Sequence, residues 1–253
     1  MTLEHAKNVL EELGDNDLAE IVSGAREAFN RRHPGIKDIF LPGTVPVEKQ
    51  AIKTSETRKI YPEISLEEEW QRQTQGFIRL GFHTKLGLTE ENYSRRFPKF
   101  TPQPENFKGR LDAPVLVETR ISPEDQCKLA GIQYVLGGLA KRDWNEKRKD
   151  YTTPKAPYAA WLEDGGNNLG KKPEDVRKNL KDDEIAGTEL DGIALYISNP
   201  KILEHHSLDL PGTSVGSDRA ASLRLWRGRP RLSYSWIDDA FPKFGSVVRG
   251  RQK

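Results

Sequence analysis

Asp191, His205, Asp218 and Arg219 are the residues of this 253-residue chain whose types suit acid–base work together. A carboxylate can take a proton, an imidazole can pass one on, and an arginine can hold an anion in place. Asp218 stands in "GSDR", where Gly216 and Ser217 suit a tight loop at a strand entrance, a composition that serves an ordinary turn equally well. An enzyme built on these residues would have a pocket that joins the glycine-rich loop 212–219 to the helix that carries Asp191. No fixed spacing selects a pair among Asp191, Asp209, Asp218, Asp238 and Asp239, so no catalytic motif is recognisable.

A second chemistry is written in "SLRLWRGRPRLSYSWIDD", residues 222–239. Arg224, Trp226, Arg227, Arg229 and Arg231 cluster around a turn, and alternation puts Leu232, Tyr234 and Trp236 on the face opposite Arg231, Ser233 and Ser235. One face is then core. The other presents guanidinium groups, which suit an anionic partner, RNA or DNA among them, by phosphate contact and aromatic stacking. The same pattern would also serve the outer face of an ordinary sheet or a protein–protein contact.

Three other stretches invite chemistry and support it poorly. In "GGNNLGKK" the residues Gly165, Gly170 and Lys171 match the spacing of a phosphate-binding loop, but Lys172 stands where a Mg²⁺-binding hydroxyl is required, so the reading is a turn before a helix opened by Pro173. His205 and His206 are adjacent and point apart, and His5, His33 and His83 lack ligand spacing, so no metal site and no cofactor are expected. The lone Cys127 lies in an amphipathic helix, where packing is its expected role, and "GTSVGS" departs from a serine nucleophile elbow.

The elements that must position these residues follow from period and punctuation. Residues 1–35 read as a helical hairpin closed by Pro34 and Gly35, and 36–63, with several prolines and no period, as a linker. The main domain, 64–253, opens with a capping box, Ser65 and Glu68, before a helix running through Trp70, Phe77 and Ile78 to Gly81. Strands are expected at "APVLVET", "IQYVL", "APYAAWLED", "ASLRLW", "RLSYSWI" and "FGSVVRG". Helices are expected at "SPEDQCKLAG", "KPEDVRKNL" and "TELDGIALYISNPKILEHH", the last broken at Pro200. Strands and helices mingle without a βαβ repeat, which predicts an α+β fold with a mixed or antiparallel sheet and flanking helices, preceded by the N-terminal αα-hairpin.

Composition sets the outer bounds. The chain is 31% charged and 35% hydrophobic, with one cysteine, so it can form no internal disulfide. It has no apolar run long enough to span a membrane and no basic, apolar leader, and a cytoplasmic location is expected. The net charge of +2 conceals an asymmetry: from Arg219 to Lys253 seven arginines and two lysines face only Asp238 and Asp239, a local surplus of seven.

The runs "EEWQRQTQGFIRLGFHTKLGLTEENY", "APVLVETRISPE", "APYAAWLEDG", "LDGIALYISNPKIL" and "GTSVGSDRAASLRLWRGRPRLSYSWIDDAFPKFGSVVRGR" together resemble a bacterial family known only as a domain of unknown function, over about residues 64–250. Gly192, Gly216, Trp236 and "FGS" at 244–246 carry the likeness. The family's cysteines and second tryptophan near its end have no counterpart here, so no role attached to them transfers. The resemblance implies a shared fold and no chemistry.

Overall fold

The computed structural model describes residues 64–141 and 154–251; the expected N-terminal hairpin and linker lie outside them. The domain opens as the capping box requires. The Ser65 hydroxyl accepts from the Glu68 N–H at 3.2 Å, the Glu68 carboxylate accepts from the Ser65 N–H at 2.8 Å, and helix α1 runs Leu66–Arg79. Gly81, at φ 81°, turns the chain into the short helices α2 (Phe82–Lys85) and α3 (Glu90–Ser94), which bring Phe82, Tyr93 and Phe97 against Phe77. The rings of Phe77 and Phe97 stack at 5.4 Å, and Tyr93 meets Phe97 edge-on, so aromatic burial holds this corner.

Two sheets follow. The first has the order β1 (Ala113–Val117), β4 (Tyr158–Glu163), β10 (Val248–Gly250), β5 (Glu184–Ala186), and every pairing is antiparallel. The second has the order β2 (Gln133–Tyr134), β8 (Arg229–Trp236), β7 (Arg219–Trp226), β6 (Ser207–Val215), β3 (Ala140–Lys141). In it β9 (Phe244–Ser246) lies parallel to β6, and β2 parallel to β8. Three further helices connect them: α4 (Pro123–Leu129), α5 (Pro173–Lys178) and α6 (Glu189–Ser198), with α7 (Ile202–His205) completing the α6 segment beyond Pro200. The described part is therefore α+β with mixed and antiparallel sheets.

The core forms where α6 lies against β1 of one sheet and β6 and β7 of the other. Val115, Val117 and Leu162 meet Leu190, Ile193 and Leu195, which meet Leu208, Leu210 and Leu223. Gly192 is required at that contact: a Cβ there would lie 2.6 Å from the Leu210 side chain. On the far side of β1, Gln73 of α1 does the work of a missing strand. Its amide donates to the Pro114 carbonyl at 2.7 Å and accepts from the Leu116 N–H at 2.8 Å, satisfying both backbone groups of an edge.

Three expectations are corrected. "FGSVVRG" is not one strand: the chain changes sheets at Val247, whose N–H donates to Asp209 while its carbonyl accepts from Gly187, so β9 and β10 belong to different sheets. Residues 212–215 are not loop but the end of β6, whose register shifts between Leu210 and Ser214 because Pro211 cannot donate to the ladder. "IQYVL" keeps only a two-residue strand, the chain turning at Gly137 with φ 55°.

A buried polar knot ties the first sheet to α6. Asp191 accepts from the Tyr158 hydroxyl at 2.8 Å and from the Thr188 N–H and hydroxyl at 2.7 and 2.8 Å, and Arg249 of β10 stands 3.7 Å from the same carboxylate, over the Tyr158 ring. Replacement Asp191→Ala would remove the acceptor that these buried donors share and the carboxylate beside Arg249, so we expect a loss of roughly 3–5 kcal/mol of stability, read as a shifted urea midpoint at unchanged slope.

Candidate functional site

The β7–β8 hairpin forms as the alternation around residues 222–236 implies, and its turn is strict. Arg227 at φ 51° and Gly228 at φ 73° make a two-residue connection between the paired Trp226 and Arg229, the left-handed pair that matches strand twist. Arg227 and Arg229 are exposed, while Arg231 and Trp226 are half-buried and Arg224 is buried. The guanidinium groups of Arg224 and Arg231, opposite each other on β7 and β8, lie 5.1 and 4.8 Å from the Trp226 ring. Trp226 is thus already engaged by the protein's own cations. On the other face Arg219 lies over Tyr234 and Trp236 at 4.6 and 4.3 Å.

Asp191, His205, Asp218 and Arg219 do not converge. Asp191 is buried in the first turn of α6, whereas His205 is the exposed last residue of α7. His205 precedes β6 and Asp218 follows it, at opposite ends of that strand. Asp218 and Arg219 are neighbours only, 3.9 Å apart at the surface. The 212–219 segment meets the Asp191 helix through buried hydrogen bonds: Gly212 N–H donates to Gly187 at 2.7 Å, Glu189 N–H donates to the Thr213 hydroxyl at 3.0 Å, and that hydroxyl donates to the Glu189 carboxylate.

A cavity of about 450 Å³ opens elsewhere, around the "GGNNLGKK" stretch. Its polar wall includes Arg110, Glu163, Asn167, Asn168, Lys171 and Glu184. Glu163, at the end of β4, organises the loop: its carboxylate accepts from the N–H groups of Gly165 and Asn167 at 3.0 and 2.7 Å and from the Asn168 side-chain amide at 2.9 Å. Burial, and then Asp164 beside it, push this carboxyl up to about 8 despite those donors. Arg110 is already paired with Glu184 and, at 3.1 Å, with Asp183. Lys171 donates to Asn168 Oδ1 at 3.0 Å rather than standing in a phosphate-binding loop. Sequence reasoning passed over Glu163; its only signal is an acidic residue ending an apolar strand just before two glycines.

The loop is fixed against β9 by a backbone contact. A Cβ on Gly245 would lie 1.9 Å from the Gly165 carbonyl oxygen, so neither strand nor loop could keep its place with a side chain there. Gly170 N–H donates to Phe244 at 2.9 Å, the Asn168 amide to Ser246 at 3.0 Å, and His206 Nε2 lies 2.9 Å from the Asp164 carbonyl.

Among the carboxylates weighed from sequence, Asp209 is the one buried in the second sheet. It accepts from the Ser235 hydroxyl at 2.5 Å, and burial, opposed by Ser235 and the Arg224 charge, pushes it up to about 7. Burial raises the Cys127 thiol to about 12, which removes it as a nucleophile at neutral pH. Among the described residues no three His, Cys, Asp or Glu side chains are grouped to hold a metal, and no helix is long and apolar enough to cross a membrane. The fold and these sites define an α+β protein of two sheets sharing one helix. No family model, no curated protein and no solved structure matches this chain, so the resemblance over residues 64–250 gains no support from them.

Asp209 and Glu163 both hold protons more tightly folded than unfolded, so their contribution to stability is full below the ordinary carboxylate range and is lost as pH rises through about 7 and about 8 respectively. Urea midpoints measured from acid to mildly alkaline pH should fall along this window in the wild type. Asp209→Asn should flatten the lower part of that fall; an unchanged profile would assign the pH dependence to other groups.

Proposed function

We propose that this protein binds an anionic partner through the β7–β8 hairpin, the partner being the phosphate backbone of RNA or DNA. The observation that carries the reading is the ordering of guanidinium groups by one indole: Arg224 and Arg231 lie over Trp226, while Arg227 and Arg229 project from the adjacent turn. A guanidinium held against a ring loses less freedom on meeting a phosphate. Because the ring is occupied, base stacking on Trp226 is subordinate to charge contact, and the binding is indifferent to base sequence.

A second reading, an enzyme, is supported by one observation: the cavity places Glu163, whose carboxyl burial pushes up to about 8, in the same wall as Lys171 and Arg110. In that reading Glu163 is the acid–base group and the 212–219 stretch is structural. It predicts no role for the hairpin.

Fluorescence anisotropy of labelled single-stranded oligonucleotides separates the two. Binding should weaken steeply with salt and differ little among sequences, and R227A with R229A should reduce the slope of log affinity against log salt by about two phosphate contacts, with the unfolding midpoint nearly unchanged. No binding at low salt would refute the hairpin reading, and affinity indifferent to the two arginines would move the contact elsewhere.

A further inference from the structure

Six charged side chains line the cavity around the loop after β4, and four of them offset one another. Arg110 is paired with Glu184 and Asp183, while Lys181 and Asp175, of opposite sign, stand at the exposed rim. That leaves Glu163 and Lys171. Glu163 is buried, and its three hydrogen-bond donors are all neutral: the Gly165 and Asn167 N–H groups and the Asn168 amide. Among the described residues no cation pairs with it, and Asp164 beside it adds a second negative charge. A buried carboxylate without a counter-ion is unfavourable, and this one lies on the wall of a space that a counter-ion can enter.

Asn168 sets the scale of what fits. Its carboxamide donates to Glu163 Oε2 at 2.9 Å and accepts from Lys171 Nζ at 3.0 Å, which places the carboxylate and the lysine ammonium no more than about 8 Å apart. A monocation at Glu163 would meet the Lys171 charge on the same wall, and a monoanion at Lys171 would meet Glu163. A ligand that carries both charges meets neither repulsion. In an α-amino acid the ammonium nitrogen and the carboxylate oxygens are about 3 Å apart, so with a charge-assisted hydrogen bond of about 2.8 Å at each end it spans that gap. The apolar part of the lining, Leu111, Val176, Leu180 and Val248, is aliphatic throughout and suits an aliphatic side chain. At about 450 Å³ the space lies in the range of small-molecule sites. A metal ion would find too few ligands, since among the described residues no three His, Cys, Asp or Glu side chains are grouped to hold one.

We propose that this cavity binds a free aliphatic α-amino acid, with its ammonium group on Glu163, its carboxylate on Lys171 and its side chain against Leu111, Val176, Leu180 and Val248. Binding needs no reaction, so the site stands whether or not Glu163 also acts as an acid or base, and it is independent of the β7–β8 hairpin as a nucleic-acid contact.

Isothermal titration calorimetry of the full chain with L-leucine at pH 7 tests it. L-leucine should bind saturably. Isopentylamine lacks the carboxylate, 4-methylpentanoate lacks the ammonium group, and 5-aminopentanoate carries its charges at opposite ends of its chain; each should bind at least about tenfold more weakly. Lys171 is exposed and donates to Asn168, so K171M should keep the unfolding midpoint and lose at least about tenfold in leucine affinity. Glu163 holds its own loop, so its part is read without substituting it. Burial keeps its carboxyl protonated up to about 8, and an ammonium partner favours the ionised form, so leucine binding should release up to about one proton, seen as a heat that varies with the ionisation enthalpy of the buffer. R227A/R229A should bind leucine as the wild type does, which lets this proposal and the hairpin reading fail separately. No saturable leucine binding, equal affinity for isopentylamine or 4-methylpentanoate, wild-type affinity in K171M, or binding without proton release would each overturn the proposal.

Discussion

The approach of Gly165 to Gly245 fixes more of this molecule than any side-chain contact. With less than the room for a single methyl group between the loop carbonyl and the β9 backbone, the loop after β4 and the strand beside β6 can occupy only one mutual position. On one side of that contact stands Glu163, holding the loop by three N–H donors. On the other stands Ser246, in register with Asp209. The cavity wall and the pairing of β9 with β6 are therefore set by the same constraint, although they face different surroundings. Asn168 spans the two, donating to Glu163 and to the Ser246 carbonyl through one amide.

Val247 extends this arrangement. One residue carries the chain from the second sheet to the first, with its N–H committed to Asp209 and its carbonyl to Gly187. Backbone bonds on either side leave little freedom for one sheet to shift against the other. Asp191, Tyr158 and Arg249 then fasten the same edge of the first sheet to the helix that both sheets share. Electrostatics reinforce geometry here: burial would disfavour each charge alone, and the helix start supplies donors that hold the carboxylate in place.

What the sequence makes legible is local. The capping box at Ser65, the stops at Gly81 and Pro200, and the hairpin around Arg227 and Gly228 are decided by neighbours within a few residues, and the structure has all of them. The β6 strand is obscured by Pro211 and Gly212, which read as loop until a bulge accommodates them. The alignment of Ser246, Asp209, Ser222 and Ser233 is illegible for a different reason: these residues are brought together only by the register of four strands, and each alone is an ordinary polar residue in a β segment. Asp191 had a signal, since Thr188 precedes it by three as in a capping pair, yet nothing in the sequence says that Tyr158 and Arg249 would join it.

Gln73 has a consequence for how copies of this chain meet. An edge strand with free N–H and carbonyl groups is a template on which a second molecule can extend the sheet, and β1 is such an edge. The carboxamide of Gln73 occupies the middle of that template, and Glu69 braces it by accepting from the same nitrogen at 2.5 Å. An incoming strand would have to displace a side chain that already reproduces a peptide's hydrogen bonds. The first sheet is thereby closed at β1 to growth by self-pairing, a safeguard against aggregation supplied by one glutamine on a helix.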